Sequence, residues 1–260
     1  NKNHLQEKGI FEPDSSWDWN VLMQHAIALS EENHRYGFYF NSLSENRWFV
    51  FWMQNQIQFK KRSGTYEFSR EKMKETLILC RDLIYNKQNA PKFVSETENE
   101  VLQLFSQEKT SMIMTTYFSL NMLDDVKFSY DIAPLPALDS ADTLLLPIGW
   151  SINKNSHELA SAKLLVDFLS SQEAQNLVFR NTLSLPALRT AEIGEDDPLN
   201  RPSRFFMYKE IMPTFRLFSH LDIPQLKLKR IRRELKYFWF QMEDVDQACD
   251  RIEHILNSEE

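Results

Sequence analysis

The residues able to do chemistry point away from catalysis. Six histidines, at positions 4, 25, 34, 157, 220 and 254, are scattered through 260 residues. None belongs to an HExxH motif and no two stand at i, i+4, so no helix face offers two imidazoles to a metal. No GxSxG elbow is present. Adjacent carboxylates occur at Asp124-Asp125 and at Glu195-Asp196-Asp197. Both lie in polar stretches and read as solvated surface rather than a glycosidase pair. The second also lacks the alternating oxygen ligands of a calcium loop. Only five glycines exist, and they build neither GxGxxG nor GxxxxGK[ST]. No cofactor is implied. What remains is recognition chemistry. Asn41-Ser42-Leu43-Ser44-Glu45-Asn46-Arg47-Trp48 is a polar loop running into an apolar segment. Glu45, Asn46 and Arg47 carry planar polar groups that suit ligand hydroxyls, provided every group is paired once buried. The competing reading is a solvated loop capping a helix, with Arg47 paired to Glu45. Trp48 is favoured as core over ligand platform.

The elements that must position these residues follow from periodicity and caps. Ser16 or Asp18 caps a helix from Trp19 to Leu29, where Val21, Leu22, Ala26 and Leu29 recur at helical spacing. Gly37–Phe40 reads as a short aromatic strand and Trp48–Gln56 as a helix buried on nearly every side. Phe59 and Tyr66–Phe68 flank a turn at Arg62-Ser63-Gly64, as in a hairpin. Ser69 opens a long amphipathic helix carrying Met73, Leu77, Cys80, Leu83 and Ile84. A helix at Glu98–Gln107 and strands at Ser111–Thr115, Phe128–Pro134 and Thr143–Ile152 are expected next. Helices at His157–Leu169, Glu173–Arg180, Met207–Phe218, Ile223–Met242 and Val245–Leu256 complete the chain. Strands alternating with helices indicate an α/β fold.

Composition narrows the class. With 42% hydrophobic and 26% charged residues the chain is an ordinary globular one. A net charge of −7 argues against direct nucleic-acid contact by this segment. Lys227, Lys229, Arg230, Arg232, Arg233 and Lys236 form one basic run. Spread round a helix with Leu226, Leu228, Ile231 and Leu235 between them, they read as a solvated face with pairs such as Arg230–Glu234. The apolar runs fall far short of the roughly 20 residues that cross a bilayer. Cys80 and Cys249 have no CxxC spacing and read as buried thiols, with a disulfide left open.

Several segments, in order, resemble the extracellular sugar-binding proteins that serve ABC importers. They are NKNHLQEKGIFEPDSSWDWNVLMQHAIAL from Asn1, FSQEKTSMIMTTYFSLNML from Phe105, YDIAPLPA with Pro134 and Pro136, and GWSINKNSHELASAKLLVDFLSSQEAQNLVFRNTLSLPALR from Gly149. The resemblance covers nearly the whole chain through order and spacing rather than any one motif. It implies a two-lobed, helix-rich, type II periplasmic-binding-protein-like fold with part of the first lobe missing. Residues 1–143 would form the second lobe, 144–205 part of the first, and 206–260 C-terminal helices returning to the second. Such a half-lobe would expose an apolar face, and the native protein would be longer at its N-terminus.

The same resemblance places the loop at 41–48 and a stacking aromatic, Tyr117, at a ligand. Phe118 is a weaker choice, and Arg189 after Leu185-Pro186 is weaker still. Trp150, after Gly149, fits ligand contact and core equally; Trp19, Trp52 and Trp239 fit the core. The family's glycine-rich ligand loops have no counterpart in MQNQIQF at 53–59. The implied function is binding of a small solute, a carbohydrate or oligosaccharide, for delivery to an ABC permease by an exported periplasmic or lipid-anchored protein without enzymatic activity. RRELKYFWFQMEDVDQACDRIEHIL, from Arg232, also resembles a cytoplasmic alternative, the ligand-sensing domain of a GntR-type regulator. That alternative would touch DNA only through a separate N-terminal domain.

Overall fold

The computed structural model describes residues 1–258 other than 33, 86–96, 124, 193–196, 198 and 200. In chain order its elements are α1 (Lys2–Glu7), α2 (Trp19–Leu29), β1 (Tyr36–Phe40), α3 (Glu45–Gln54), β2 (Lys60–Arg62), β3 (Thr65–Glu67), α4 (Arg70–Tyr85), α5 (Glu98–Ser106) and β4 (Thr110–Met114). There follow β5 (Thr143–Leu144), α6 (Leu159–Leu169), α7 (Gln172–Asn181), α8 (Tyr208–Ile211), β6 (Phe215–Arg216), α9 (Gln225–Trp239) and α10 (Val245–Asn257), with short 3-10 turns between. The chain divides into two units. Unit 1 holds Asn1–Thr115, Lys127–Leu145 and Arg204–Glu260; unit 2 holds Thr116–Val126 and Leu146–Ser203.

Unit 1 is built on the parallel pair β1–β4, registered from Tyr36 opposite Thr110 to Phe40 opposite Met114. A parallel pair needs a long crossover, and α3, the β2–β3 hairpin, α4 and α5 lie within it. Asp18 starts α2 by accepting the Val21 amide at 2.8 Å. The helix then lies directly on β1. A Cβ on Gly37 would stand 1.7 Å from the Ala26 carbonyl oxygen, so only glycine fits there. The Ser30 hydroxyl ties the two together, donating to the Ala26 carbonyl at 2.8 Å and accepting from the Gly37 amide at 2.9 Å. The hairpin turns at Ser63 and Gly64, both with positive φ, which matches the twist of its strands.

Around this pair sits an aromatic core. Trp48, Phe49, Val50, Phe51, Trp52 and Met53 are all buried, so α3 is apolar on every side. Helices α4 and α10 pack Leu77, Cys80 and Leu83 with Cys249, Ile252 and Leu256 into the same core. Their outer edges are joined by Arg70, which pairs with Asp250 at 2.6 Å, and by Lys74, which pairs with Asp246 at 2.5 Å. The Lys227 amine on α9 donates to the carbonyls of Ile255 and Ser258, at 3.1 and 2.8 Å. A cation there suits the negative end of α10. Both thiols are free and buried. Burial pushes Cys80 well above its ordinary value and Cys249 up to about 11, so neither is reactive.

One side chain pins an irregular stretch. Gln54 is fully buried, and its amide accepts from Trp19 Nε1 at 2.9 Å while donating to the carbonyls of Pro136 and Asp142, each at 3.0 Å. Trp17 Nε1 adds a bond to the Pro134 carbonyl at 3.0 Å.

Three expected elements differ. Residues 128–134 form no strand; two prolines without N–H groups leave only a single bridge, Asp18 to Ala137. The strand expected at Thr143–Ile152 is only Thr143–Leu144, paired in parallel with β6. The helix expected at Met207–Phe218 is broken. Pro213 lies in a 3-10 turn, Met212–Thr214, after the four residues of α8.

Unit 2 has little core. Ser171 starts α7 by accepting the Ala174 amide, and Ala174, Phe179, Leu183, Leu120 and Leu123 are buried. Helix α6 buries none of its residues. Ile148, Leu164, Leu165, Phe168 and Leu177 stand in solvent, so the expected exposed apolar surface is present.

Candidate functional site

The loop before α3 is not a solvated one. Asn41, Ser42, Arg47 and Trp48 are buried, and Leu43, Ser44 and Asn46 are half-buried. Its shape is set by its own backbone. Asn41 Oδ1 accepts from the Leu43 amide at 3.2 Å, the Asn41 carbonyl from the Ser44 amide at 3.2 Å, and the Ser44 carbonyl from the Arg47 amide at 2.9 Å. Ser44 is the cap residue of α3 but makes no side-chain cap bond. The polar groups of this loop are thus gathered at the helix start in a poorly hydrated setting, where hydrogen bonds strengthen and unpaired groups are costly. Ser42 Oγ and Trp48 Nε1 are buried without a hydrogen-bond partner, and groups of that kind call for a reason.

The expected site residues fall in different places. The backbone of Glu45 begins α3, but its side chain lies outside the described residues, so the Glu45–Arg47 pair does too. Trp48 is 1% exposed, and its ring meets Phe49, Trp52 and Trp239 at centroid distances of 4.0, 5.3 and 6.2 Å. It is a core residue, not a platform, and Trp19 and Trp52 are core with it. Those residues belong to unit 1. Tyr117, Phe118, Trp150 and Arg189 belong to unit 2. Thr116 caps a 3-10 helix, Tyr117–Met122, by accepting the Ser119 amide. This leaves Tyr117 half-buried and Phe118 62% exposed. Trp150 is also 62% exposed. Arg189 is exposed.

Two features escaped the sequence reading. The burial of Asn41 and Ser42 has no local signal, because both look like turn residues. The glycine-free stretch 53–59 still makes a turn that usually asks for glycine, since Gln56 itself adopts φ +51°. Of the carboxylate pairs set aside earlier, Asp124, Glu195 and Asp196 lie outside the described residues. Among the described residues no cluster of three histidine, cysteine or carboxylate side chains could hold a metal. No described helix is long and apolar enough to cross a membrane.

Known structures share this fold along almost the entire chain. A Listeria monocytogenes ABC substrate-binding protein solved with cycloalternan matches 99% of this chain and 67% of its own, with TM-score 0.78 and 18% identity. Maltose-bound MalE3 of T. maritima matches 98% and 68%, with TM-score 0.79 and 17% identity. The maltose/maltodextrin-binding domain of Bdellovibrio bacteriovorus, bound to maltotriose, matches 96% and 67%, with TM-score 0.76 and 18% identity. The class is therefore the helix-rich α/β, two-lobed type II periplasmic-binding-protein fold, of which the chain spans about two thirds of each relative's length. Residues 5–176 match the family model described as bacterial extracellular solute-binding protein, and the chain belongs to that family. No curated protein matches the sequence.

Proposed function

We propose that this chain binds a carbohydrate, most simply an oligosaccharide, as the solute-binding component of an ABC importer. Membership of the solute-binding family carries the reading; the sugars held by structures of the same fold indicate the ligand class. In this reading Glu45, Asn46 and Arg47 are the candidate hydroxyl partners, and Tyr117 and Trp150 the candidate ring faces. Tyr117 adds a phenol, and an aromatic plane suits the apolar C–H face of a sugar. Trp48, packed against Phe49, Trp52 and Trp239, serves as core beneath this loop. The protein works outside the cytoplasmic membrane, periplasmic or lipid-anchored, and presents its ligand to a permease. Residues 1–143 and 206–260 are assigned to the second lobe and 144–205 to part of the first; the chain divides after Leu145 and Ser203, close to those bounds, although Thr116–Val126 also falls in unit 2.

Thermal unfolding against a panel of mono- and oligosaccharides tests this. A ligand at 100 times its dissociation constant stabilises by about 2.7 kcal/mol, a shift of a few degrees. The expected result is one class of sugar that shifts the midpoint, with the shift lost in Trp150→Ala and Tyr117→Ala and reduced in Asn46→Ala. Failure of every sugar would remove the carbohydrate assignment and leave the family membership standing.

A further inference from the structure

A cavity of about 480 Å³ opens where the end of α4 meets the turn between α9 and α10. That volume lies within the roughly 300–1,000 Å³ of small-molecule sites. Arg81 and Tyr85, one turn apart on α4, line it together with Met242, Glu243 and Asp244 of the turn and Gln247 of α10. All six belong to unit 1. The Glu243 side chain is only 5% exposed, and its Oε2 pairs with Arg251 Nε at 2.5 Å. Its Oε1 is buried and has no hydrogen-bond partner among the described residues. Arg251 also reaches Glu234, which Arg233 holds as well; the expected Arg230–Glu234 pair is absent, because Arg230 donates to Ser258 Oγ. A buried acceptor left open is costly unless a donor fills it. Donors stand nearby too. Arg81 lies 3.5 Å from the exposed Asp82 and 5.7 Å from the Phe238 ring centre, which leaves most of its N–H groups uncommitted. Gln247 Oε1 accepts from the Asp244 amide at 2.9 Å, and the Gln247 NH2 group remains available. The Tyr85 hydroxyl donates to the Trp239 carbonyl, so what Tyr85 offers the cavity is its ring.

We propose that this cavity binds a small zwitterion, a free α-amino acid with an apolar or aromatic side chain. The ammonium group donates to Glu243 Oε1, with the charge of Asp244 one residue on. The carboxylate meets Arg81 and the Gln247 amide, at the positive end of α10. The side chain lies against the Tyr85 ring and Met242. The lining also selects against simpler ligands. A plain anion meets Glu243 and Asp244, a plain cation meets Arg81, and a neutral polyol brings no charged donor to the open carboxyl oxygen. This site is independent of the sugar reading, since it uses no residue assigned to the sugar.

Calorimetric titration of the full chain with L-leucine, L-methionine and L-phenylalanine tests it. Saturable binding of at least one is expected. Its N-acetyl derivative lacks the ammonium group and its amide lacks the carboxylate, so each should bind about tenfold more weakly or worse. Arg81→Gln and Glu243→Gln should weaken binding of the free amino acid by a similar factor. Arg81 is only half-buried, so its variant keeps the test decisive even if Glu243→Gln lowers the melting temperature through the lost Arg251 pair. No saturable binding of any of the three overturns the proposal. Equal affinity for the acetylated and amidated forms, or undiminished binding by Arg81→Gln, overturns it as well.

Discussion

Helices α4 and α6 make an instructive pair. Helix α4 reads REKMKETLILCRDLIY and α6 reads LASAKLLVDFL, so α6 is the more apolar. Yet α4, in unit 1, buries Met73, Leu77, Cys80, Leu83 and Ile84, whereas α6, in unit 2, buries nothing. The difference lies in what stands opposite. Helix α4 meets α10 and the aromatic face of α3; α6 has no comparable described surface over Leu164, Leu165 and Phe168. An amphipathic pattern specifies a face that is able to pack, and burial then depends on the elements that cover it. Apolar content alone says little about which part of this chain is most stable.

The comparison can be broken at either end. The largest effect is expected from Leu77→Ala, which empties a fully buried site and should cost about 2–5 kcal/mol in denaturant unfolding. A loss below 1 kcal/mol would show that the α4 contacts contribute far less than their burial implies. A smaller effect is expected at the edge of unit 1. Hydrogen bonds from Arg35, then Lys8, hold the Glu7 carboxyl down to about 2, from 4.5. A lowered value stabilises the folded state above pH 4.5 and ceases to do so as the pH falls towards 2. Wild type and Glu7→Gln should therefore differ most near neutrality, and their melting temperatures should converge across that interval. The smallest effect is expected in unit 2. Leu165→Ser, on the exposed face of α6, should change unfolding stability by no more than about 0.5 kcal/mol. A large loss there would mean that α6 is covered in solution.

The fold was legible wherever its causes lie close together in the chain. Asp18 announces α2, the Ser63-Gly64 turn announces the hairpin, and the spacing of Leu77, Cys80 and Ile84 announces α4. Legibility failed where a partner sits far away in sequence. Residues 128–134 look like a strand by composition, but Pro134 and Pro136 are held instead by Trp17 and Gln54, which no local pattern connects to them. The break at Pro213 was visible in the residue type and was outweighed by the apolar residues around it. The candidate site divides in the same way. Trp48 was readable as core, because α3 is apolar all round. The burial of Asn41 and Ser42, and the exposure of Trp150, depend on neighbours supplied by tertiary structure.

Gln54 sets a narrow rule for variation. It uses one acceptor and both donors of its amide at once, in a place closed to water. Glutamate would turn a lone pair towards two carbonyl oxygens, methionine would leave the Trp19 indole and both carbonyls without partners, and asparagine has the right group on too short a stem. Position 54 thus tolerates essentially one residue, because burial and three hydrogen bonds fix its side chain. In a library of variants selected only for folding, it should be among the most intolerant polar positions, and the substituted chains should be lost to proteolysis before any difference in binding is seen.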